Sequence, residues 1–306
     1  MQVPFVDAAE LARRLPMRDA IDALEVAFHD GDPSVSPLRS HLTTPEGALL
    51  LMPAVGEAGV GVKLVTLTEA NPDRGLPLIH ALYALFDPVT QAPLMLVDGS
   101  ALTALRTGAV SGLATRYLAR ADATRLVIFG AGVQAHAHLE AIATVRSLTH
   151  LVVVSRTHDR AARLVQSAAA MGIDAEVGDA DAVADADVVC TCTTATEPLF
   201  DGERLARGAH VNAVGAYRPE TREVDTETVR RARVVVETRA AALVEAGDLL
   251  LPIGEGAISA DHVVADLQEV VRGSAVREGD EDVTLFESVG LAFEDLAVAG
   301  ALVAAP

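Results

Sequence analysis

Two features of this 306-residue chain have the residue types and spacing to do chemistry. The first is a glycine turn. Gly130, Ala131, Gly132, Val133, Gln134 and Ala135 follow the apolar run Leu126, Val127, Ile128, and a helical stripe of Ala135, Leu139, Ile142 and Val145 comes next. A strand, a turn with G-x-G-x-x-A spacing and a helix form the unit that holds a dinucleotide pyrophosphate. Gly130 makes the tight turn, Gly132 lets backbone approach the phosphates, and Ala135 lets helix and strand pack closely. Free N–H groups and the positive end of the helix dipole complete an anion site. A plain βα turn is the competing reading, and the flanking strand and helix favour the cofactor.

The second strand of that unit ends in Ser155, Arg156 and Thr157. An NAD-selective site carries Asp or Glu here to take the ribose 2′-hydroxyl, and this chain has none. Arg156 can instead pair with a 2′-phosphate, with two hydroxyls beside it as donors. NADP(H) is therefore the expected cofactor, with NAD(H) possible; the alternative is that Arg156 is an exposed residue at a helix start. The second feature is Lys63, the only lysine among 24 basic side chains. Lysine can shift its pKa and transfer a proton, which arginine cannot usefully do. Composition leaves that reading level with chance survival of one lysine in an arginine-rich chain.

Other candidates weigh less. His136 and His138 are two apart on a helix and face different directions, so they cannot share a metal. Cys190 and Cys192 point to one face of a strand, but nothing nearby completes a metal set, and buried thiols in a reducing compartment are expected. The acidic run DADAVADAD (179–187) reads as a solvated short helix. No metal is expected, and His80 and Tyr83 receive no role.

The elements that position these residues follow from patterning. Half of the chain is hydrophobic and 22% is charged, enough for a packed core. The net charge of −19 disfavours nucleic acid and anionic membrane surfaces as partners. No secretory leader and no membrane-length apolar run is read, so a soluble cytoplasmic protein is expected. Residues 1 to about 30 read as an amphipathic helical segment. The strand candidates LRSHLTT, ALLLMPA, GVGVKLVTL, IHALYALFD and APLMLVDG follow, then a helix over 100–120 that carries Arg106 and Thr107 in its early turns. Beyond it, Val-rich strands alternate with helices, as in a doubly wound parallel sheet. VTLFESVGLAFEDLAVAGALV (283–303) reads as one long amphipathic helix. The expected class is α/β: a mixed α+β substrate-binding and dimerisation domain (1–120 with 284–306) and a Rossmann-type domain (121–283).

The chain resembles the ornithine cyclodeaminase/μ-crystallin family over nearly its whole length. The resemblance is carried by LRSHL (38–42), LMPA (51–54), GVKLVT (61–66), LTALRTGAVSGLATRYLA (102–119), GAGVQAHAHLEA (130–141), VGAYRPETREVD (214–225), EAGDLL (245–250) and TLFESVGLAFEDLA (284–297). It implies a homodimer joined through the N-terminal sheets, with a small imino or amino acid bound between the domains and facing the nicotinamide. It places Arg39, Lys63 and Arg106 on carboxylate-binding positions and favours a functional Lys63. It places Asp225 on the catalytic aspartate that handles the substrate nitrogen and a water. An N-cap role for Asp225 competes, and both can hold together. Thr107, Thr193, Val214 and Gly215 join residues 130–134 and 155–157 as expected cofactor contacts.

Members of that family move hydride between nicotinamide C4 and the α-carbon of an amino acid or its imine. The absent acid near Arg156 and the stretch GAYRPETREVD resemble the μ-crystallin side. The expected activity is NAD(P)H-dependent reduction of Δ1-pyrroline-2-carboxylate or Δ1-piperideine-2-carboxylate to L-proline or L-pipecolate. The alternatives are an ornithine or lysine cyclodeaminase with bound NAD, an alanine-type dehydrogenase, and a non-catalytic NADPH-binding protein.

Overall fold

The computed structural model describes residues 2–304. Contacts divide the chain into unit 1, Met1–Arg106 with Leu291–Pro306, and unit 2, Thr107–Gly290. Unit 1 begins with β1 (Phe5–Val6), α1 (Ala8–Arg14) and α2 (Met17–Asp30). β2 (Ser40–Thr44), β3 (Gly47–Gly56), β4 (Gly59–Leu67), β5 (Ile79–Phe86) and β6 (Pro93–Asp98) follow, and then α3 (Gly99–Leu118), within which the division falls. Unit 2 continues with β7 (Arg125–Phe129), α4 (Val133–Val145), β8 (His150–Val154), α5 (His158–Ala170), β9 (Asp174–Val177), β10 (Val188–Thr191) and β11 (His210–Ala213). It ends with α6 (Thr226–Arg231), β12 (Ala232–Val236), α7 (Arg239–Glu245), α8 (Gly247–Gly254), β13 (Val263–Asp266), α9 (Leu267–Val271) and β14 (Val283–Glu287), before α10 (Ala292–Ala304) returns to unit 1.

The six-stranded sheet of unit 1 has the order β1-β6-β5-β4-β3-β2. Only the β1–β6 pair is parallel. β4 alternates as a half-buried strand must: Gly59, Gly61, Lys63, Val65 and Leu67 are buried, and the residues between them are not. α10 packs against α2, β3, β4 and β5, with Phe28 and Phe293 edge to face at 5.2 Å. A lysine on that apolar face needs an explanation beyond packing.

Unit 2 holds an eight-stranded sheet of order β13-β12-β14-β11-β10-β7-β8-β9, with every pairing parallel. Its central strands are buried on both faces, as parallel sheets covered by helices require; the polar His210 and Asn212 of β11 hydrogen-bond to each other, to Thr284 and to Thr115. From β7 the chain goes to β8 on one side and later to β10 on the other. That reversal creates the crevice where such sheets bind ligands.

Three expectations are corrected. Residues 283–303 are not one helix: every residue of β14 is buried between β11 and β12, and Gly290, with φ +81°, precedes α10. A short apolar run fits either period, and sheet pairing decides it. Because β14 lies inside the parallel sheet, 284–290 group with unit 2, as do 107–120; the expected boundaries at 120/121 and 283/284 move to 106/107 and 290/291. The first 30 residues are a two-residue strand and two helices, the second starting after Pro16. Among the described residues no helix is long and apolar enough to cross a membrane.

Candidate functional site

In unit 1, β4 sets Lys63 beside Met52 on β3 and Tyr83 on β5. Its Nζ lies 2.9 Å from Oδ1 and 2.8 Å from Oδ2 of Asp295, and both side chains are buried. Arg106 Nη1 donates to Glu294 Oε2 at 2.8 Å, and its Nε lies 3.5 Å from Asp295 Oδ1. Glu294 and Asp295 occupy the first turn of α10, where the helix dipole favours anions. Burial pushes the Lys63 pKa down to about 8; Asp295 opposes that shift, while Arg106 and Arg39 add to it. The fold therefore brings Arg39, Lys63 and Arg106 within electrostatic reach of one another. Among these side chains, Lys63 pairs with Asp295 and Arg106 with Glu294, so cations and carboxylates alternate within the cluster.

Tyr83 adds a polar atom to this cluster. Its ring is fully buried, and an added Cβ at Gly61 would fall 1.8 Å from its hydroxyl oxygen, so glycine at 61 makes room for it. That hydroxyl has no hydrogen-bond partner among the described residues, and its pKa is pushed up by burial and by Asp295. A buried polar atom without a partner is costly.

In unit 2 the glycine turn lies between β7 and α4. Gly130 has φ +104°, and an added Cβ would strike the Cys192 carbonyl oxygen at 2.4 Å. Its N–H donates to the Val154 carbonyl at 2.9 Å, which ties the turn to the end of β8. Gly132 is the N-cap of α4, and nothing lies within 4 Å of an added Cβ there. That opening beside free helix N–H groups is what a phosphate needs. Ala131 is buried, Val133 is exposed, and the Gln134 Oε1 is buried without a partner among the described residues. Ser155, Arg156 and Thr157 follow β8 directly, and Arg156 is exposed. Thr107 is buried in α3, while Thr193 follows β10 and Val214 and Gly215 follow β11. These residues fit a dinucleotide.

Asp225 lies in unit 2 and has a clear structural task. Its Oδ1 accepts from Thr228 N at 2.8 Å and Thr228 Oγ1 at 2.7 Å, and its Oδ2 accepts from Gly202 N at 2.9 Å. It is the N-cap of α6. The histidines separate: His138 is buried between Gln134 O and Ser111 Oγ, whereas His136 is exposed. Burial raises both thiol pKa values, that of Cys190 to about 12.

Sequence reasoning missed Glu294 and Asp295 as partners of the cationic cluster, although both stand in the quoted 284–297 stretch. The signal was available in principle, since a buried lysine and arginine require counter-charges. It also missed a set of buried acids in unit 2: Glu223, Glu237, Asp248 and Glu287. Burial raises the Glu223 pKa, burial pushes that of Asp248 up to about 8, and Glu287 is held well above the carboxylate range by burial and by the other three acids.

Residues 3–303 match the model of the ornithine cyclodeaminase/mu-crystallin family. A Δ(1)-pyrroline-2-carboxylate reductase of Bacillus cereus is 38% identical over 305 residues, covering 96% of this chain and 94% of that protein. The solved structure of the Thermococcus litoralis Δ(1)-pyrroline-2-carboxylate reductase, in complex with NADH and L-proline, matches with TM-score 0.93 and 36% identity over 98% of this chain and 96% of that one. An archaeal alanine dehydrogenase dimer with bound NAD matches with TM-score 0.93 and 33% identity over 99% of this chain and 95% of the other.

Proposed function

The chain belongs to the ornithine cyclodeaminase/mu-crystallin family, and from that premise we propose that it reduces cyclic α-imino acids, Δ1-pyrroline-2-carboxylate or Δ1-piperideine-2-carboxylate, with a nicotinamide cofactor. The observation that carries this reading is the gathering of three cations in unit 1, with Lys63 and Arg106 buried against Asp295 and Glu294 and the half-buried Arg39 acting on Lys63. Such a gathering of ammonium and guanidinium groups suits a carboxylate, which a planar guanidinium binds in register. Lys63, with a pKa of about 8, is an ammonium in most molecules at neutral pH and can still release a proton. It is suited to protonate the imine nitrogen, and an iminium accepts hydride far more readily than a neutral imine. The cofactor supplies the hydride. Asp225 has both oxygens engaged in capping α6 and in holding Gly202, so proton transfer is assigned to Lys63. A homodimer is part of this proposal.

The test is a substrate panel. The two cyclic imines should consume NADH or NADPH and yield L-proline and L-pipecolate. Conversion of ornithine to proline without net cofactor change would make the protein a cyclodeaminase. NAD reduction by alanine with ammonia release, and none with the imines, would make it an alanine dehydrogenase.

For the cofactor we propose a preference for NADPH, supported by Ser155, Arg156 and Thr157 in place of an acid. Arg156→Ala should raise the KM for NADPH about tenfold or more, the value of a charge-assisted contact, and barely change that for NADH. Equal losses with both cofactors would refute a 2′-phosphate contact.

A further inference from the structure

We propose that Glu223 is a positioning residue of the dinucleotide site, its single carboxylate fastening the segment after β10 to the segment after β11. One oxygen, Oε1, accepts from Thr193 N at 2.7 Å and Thr193 Oγ1 at 2.5 Å; the other, Oε2, accepts from Gly215 N at 2.7 Å. Thr193 and Gly215 are both expected cofactor contacts, so the inference rests on the dinucleotide reading of unit 2. Glycine at 215 is what allows the approach: an added Cβ would lie 2.5 Å from Glu223 Oε2 and 2.4 Å from the Thr193 carbonyl oxygen.

The carboxylate is itself held from behind. Glu223 N and Val224 N both donate to Asp248 Oδ1, at 2.8 and 2.9 Å, and the Glu223 carbonyl accepts from Leu199 N at 2.8 Å. Asp248 sits in the first turn of α8, next to Gly247, where an added Cβ would meet the Thr221 carbonyl oxygen at 1.9 Å. The segment carrying Glu223 is thus locked onto α8. The two segments follow paired strands and are joined by a backbone hydrogen bond from Val214 N to Thr191 O at 3.4 Å; beyond that point one buried carboxylate ties them together. A strut of this kind tunes how well the two loops meet a ligand without touching the reacting atoms.

Glutamine keeps the shape of Glu223 but has one acceptor oxygen instead of two. Whichever way it turns, its NH2 confronts the N–H of Thr193 or of Gly215. Glu223→Gln should therefore raise the KM and Kd for the nicotinamide cofactor about tenfold or more, with kcat and the imino-acid KM changed less than threefold. Glu223→Asp, which keeps both acceptors on a shorter arm, should fall between Gln and wild type, and it carries the comparison should the Gln variant fail to fold. Gly132→Ala is the control for the site, because its Cβ enters open space and can obstruct only what binds there. Unchanged cofactor affinity in both Glu223 variants, with Gly132→Ala impaired, would overturn the role of Glu223 and leave the dinucleotide site standing. So would an equal loss in both KM values, or a lower melting temperature alone, either of which marks a general scaffold. If Gly132→Ala binds cofactor normally, the dinucleotide reading fails and this inference falls with it.

Discussion

Lys63→Met is expected to cut kcat/KM for imino-acid reduction by about 10²–10⁴, the range for a lost general acid, while NAD(P)H binding stays near wild type. The split follows from placement, since Lys63 lies in unit 1 and the glycine turn in unit 2. The substitution also strands Asp295, which is fully buried and touches Nζ with both oxygens. Breaking a buried pair from one side costs about 3–5 kcal/mol, and the nearby Arg106 Nε at 3.5 Å should hold the loss to the lower end. Pairing it with Asp295→Asn removes the stranded charge, so the double variant should regain stability in a denaturant titration and remain inactive. Activity returning together with stability would show that Lys63 served the fold alone. The pH profile gives a second reading. Because burial brings Lys63 down to about 8, reduction by wild type should decline as pH rises through that value, and an unchanged rate up to pH 10 would remove the lysine as proton donor.

Glu287→Gln should make the protein more resistant to alkaline unfolding and leave it nearly unchanged at pH 5. Glu287 ends β14 in register with Ala213 of β11 and Val236 of β12. Neither of its oxygens has a hydrogen-bond partner among the described residues. Burial, Asp248, Glu223 and Glu237 all push its pKa upward, so the folded protein keeps a proton there that the unfolded chain gives up above about pH 4.5. The folded state then binds more protons than the unfolded state, and stability falls as pH rises. Each such group costs about 1.4 kcal/mol per pH unit until its folded pKa is reached. Asp248, raised to about 8, acts in the same direction between pH 4 and 8. Removing one titrating group should therefore raise stability at pH 9 by more than at pH 5, read from urea melts at the two pH values. A variant no more stable than wild type at pH 9 would show that Glu287 is already ionised in the native state.

What the sequence disclosed follows a physical pattern. The glycine turn was legible because residues 130–135 act through local backbone geometry, and the parallel sheet because strand and helix periods alternate along the chain. Lys63 stood out by rarity. Its partners did not: Asp295 is 232 residues away and Glu294 is 188 from Arg106. An acid pair at a helix start reads as dipole complement or solvated surface until the fold buries it. The same holds for Glu223, Asp248 and Glu287, since carboxylates are usually exposed and only tertiary packing makes them interior. Asp225 was visible as a cap because its partner Thr228 is three residues on. The unit boundary was hidden because it falls inside the continuous helix α3.

The placement of β14 also governs the order in which the molecule can be built. During synthesis β11 and β12 leave the ribosome long before residues 283–287, yet those residues lie between them in the finished sheet. Until then each neighbour presents unpaired backbone N–H and C=O groups along the side that β14 will fill, the kind of open edge that recruits other strands. Unit 1 waits longer still, because α10 covers its sheet. Neither unit can close on a nascent chain that stops short of residue 283, so both mature late and nearly together. Such non-local pairing slows folding and prolongs exposure to aggregation. A nonsense or frameshift lesion that removes the residues from 283 onward would leave the unit 2 sheet without β14 and the unit 1 sheet without α10 against it, rather than one intact nucleotide-binding half.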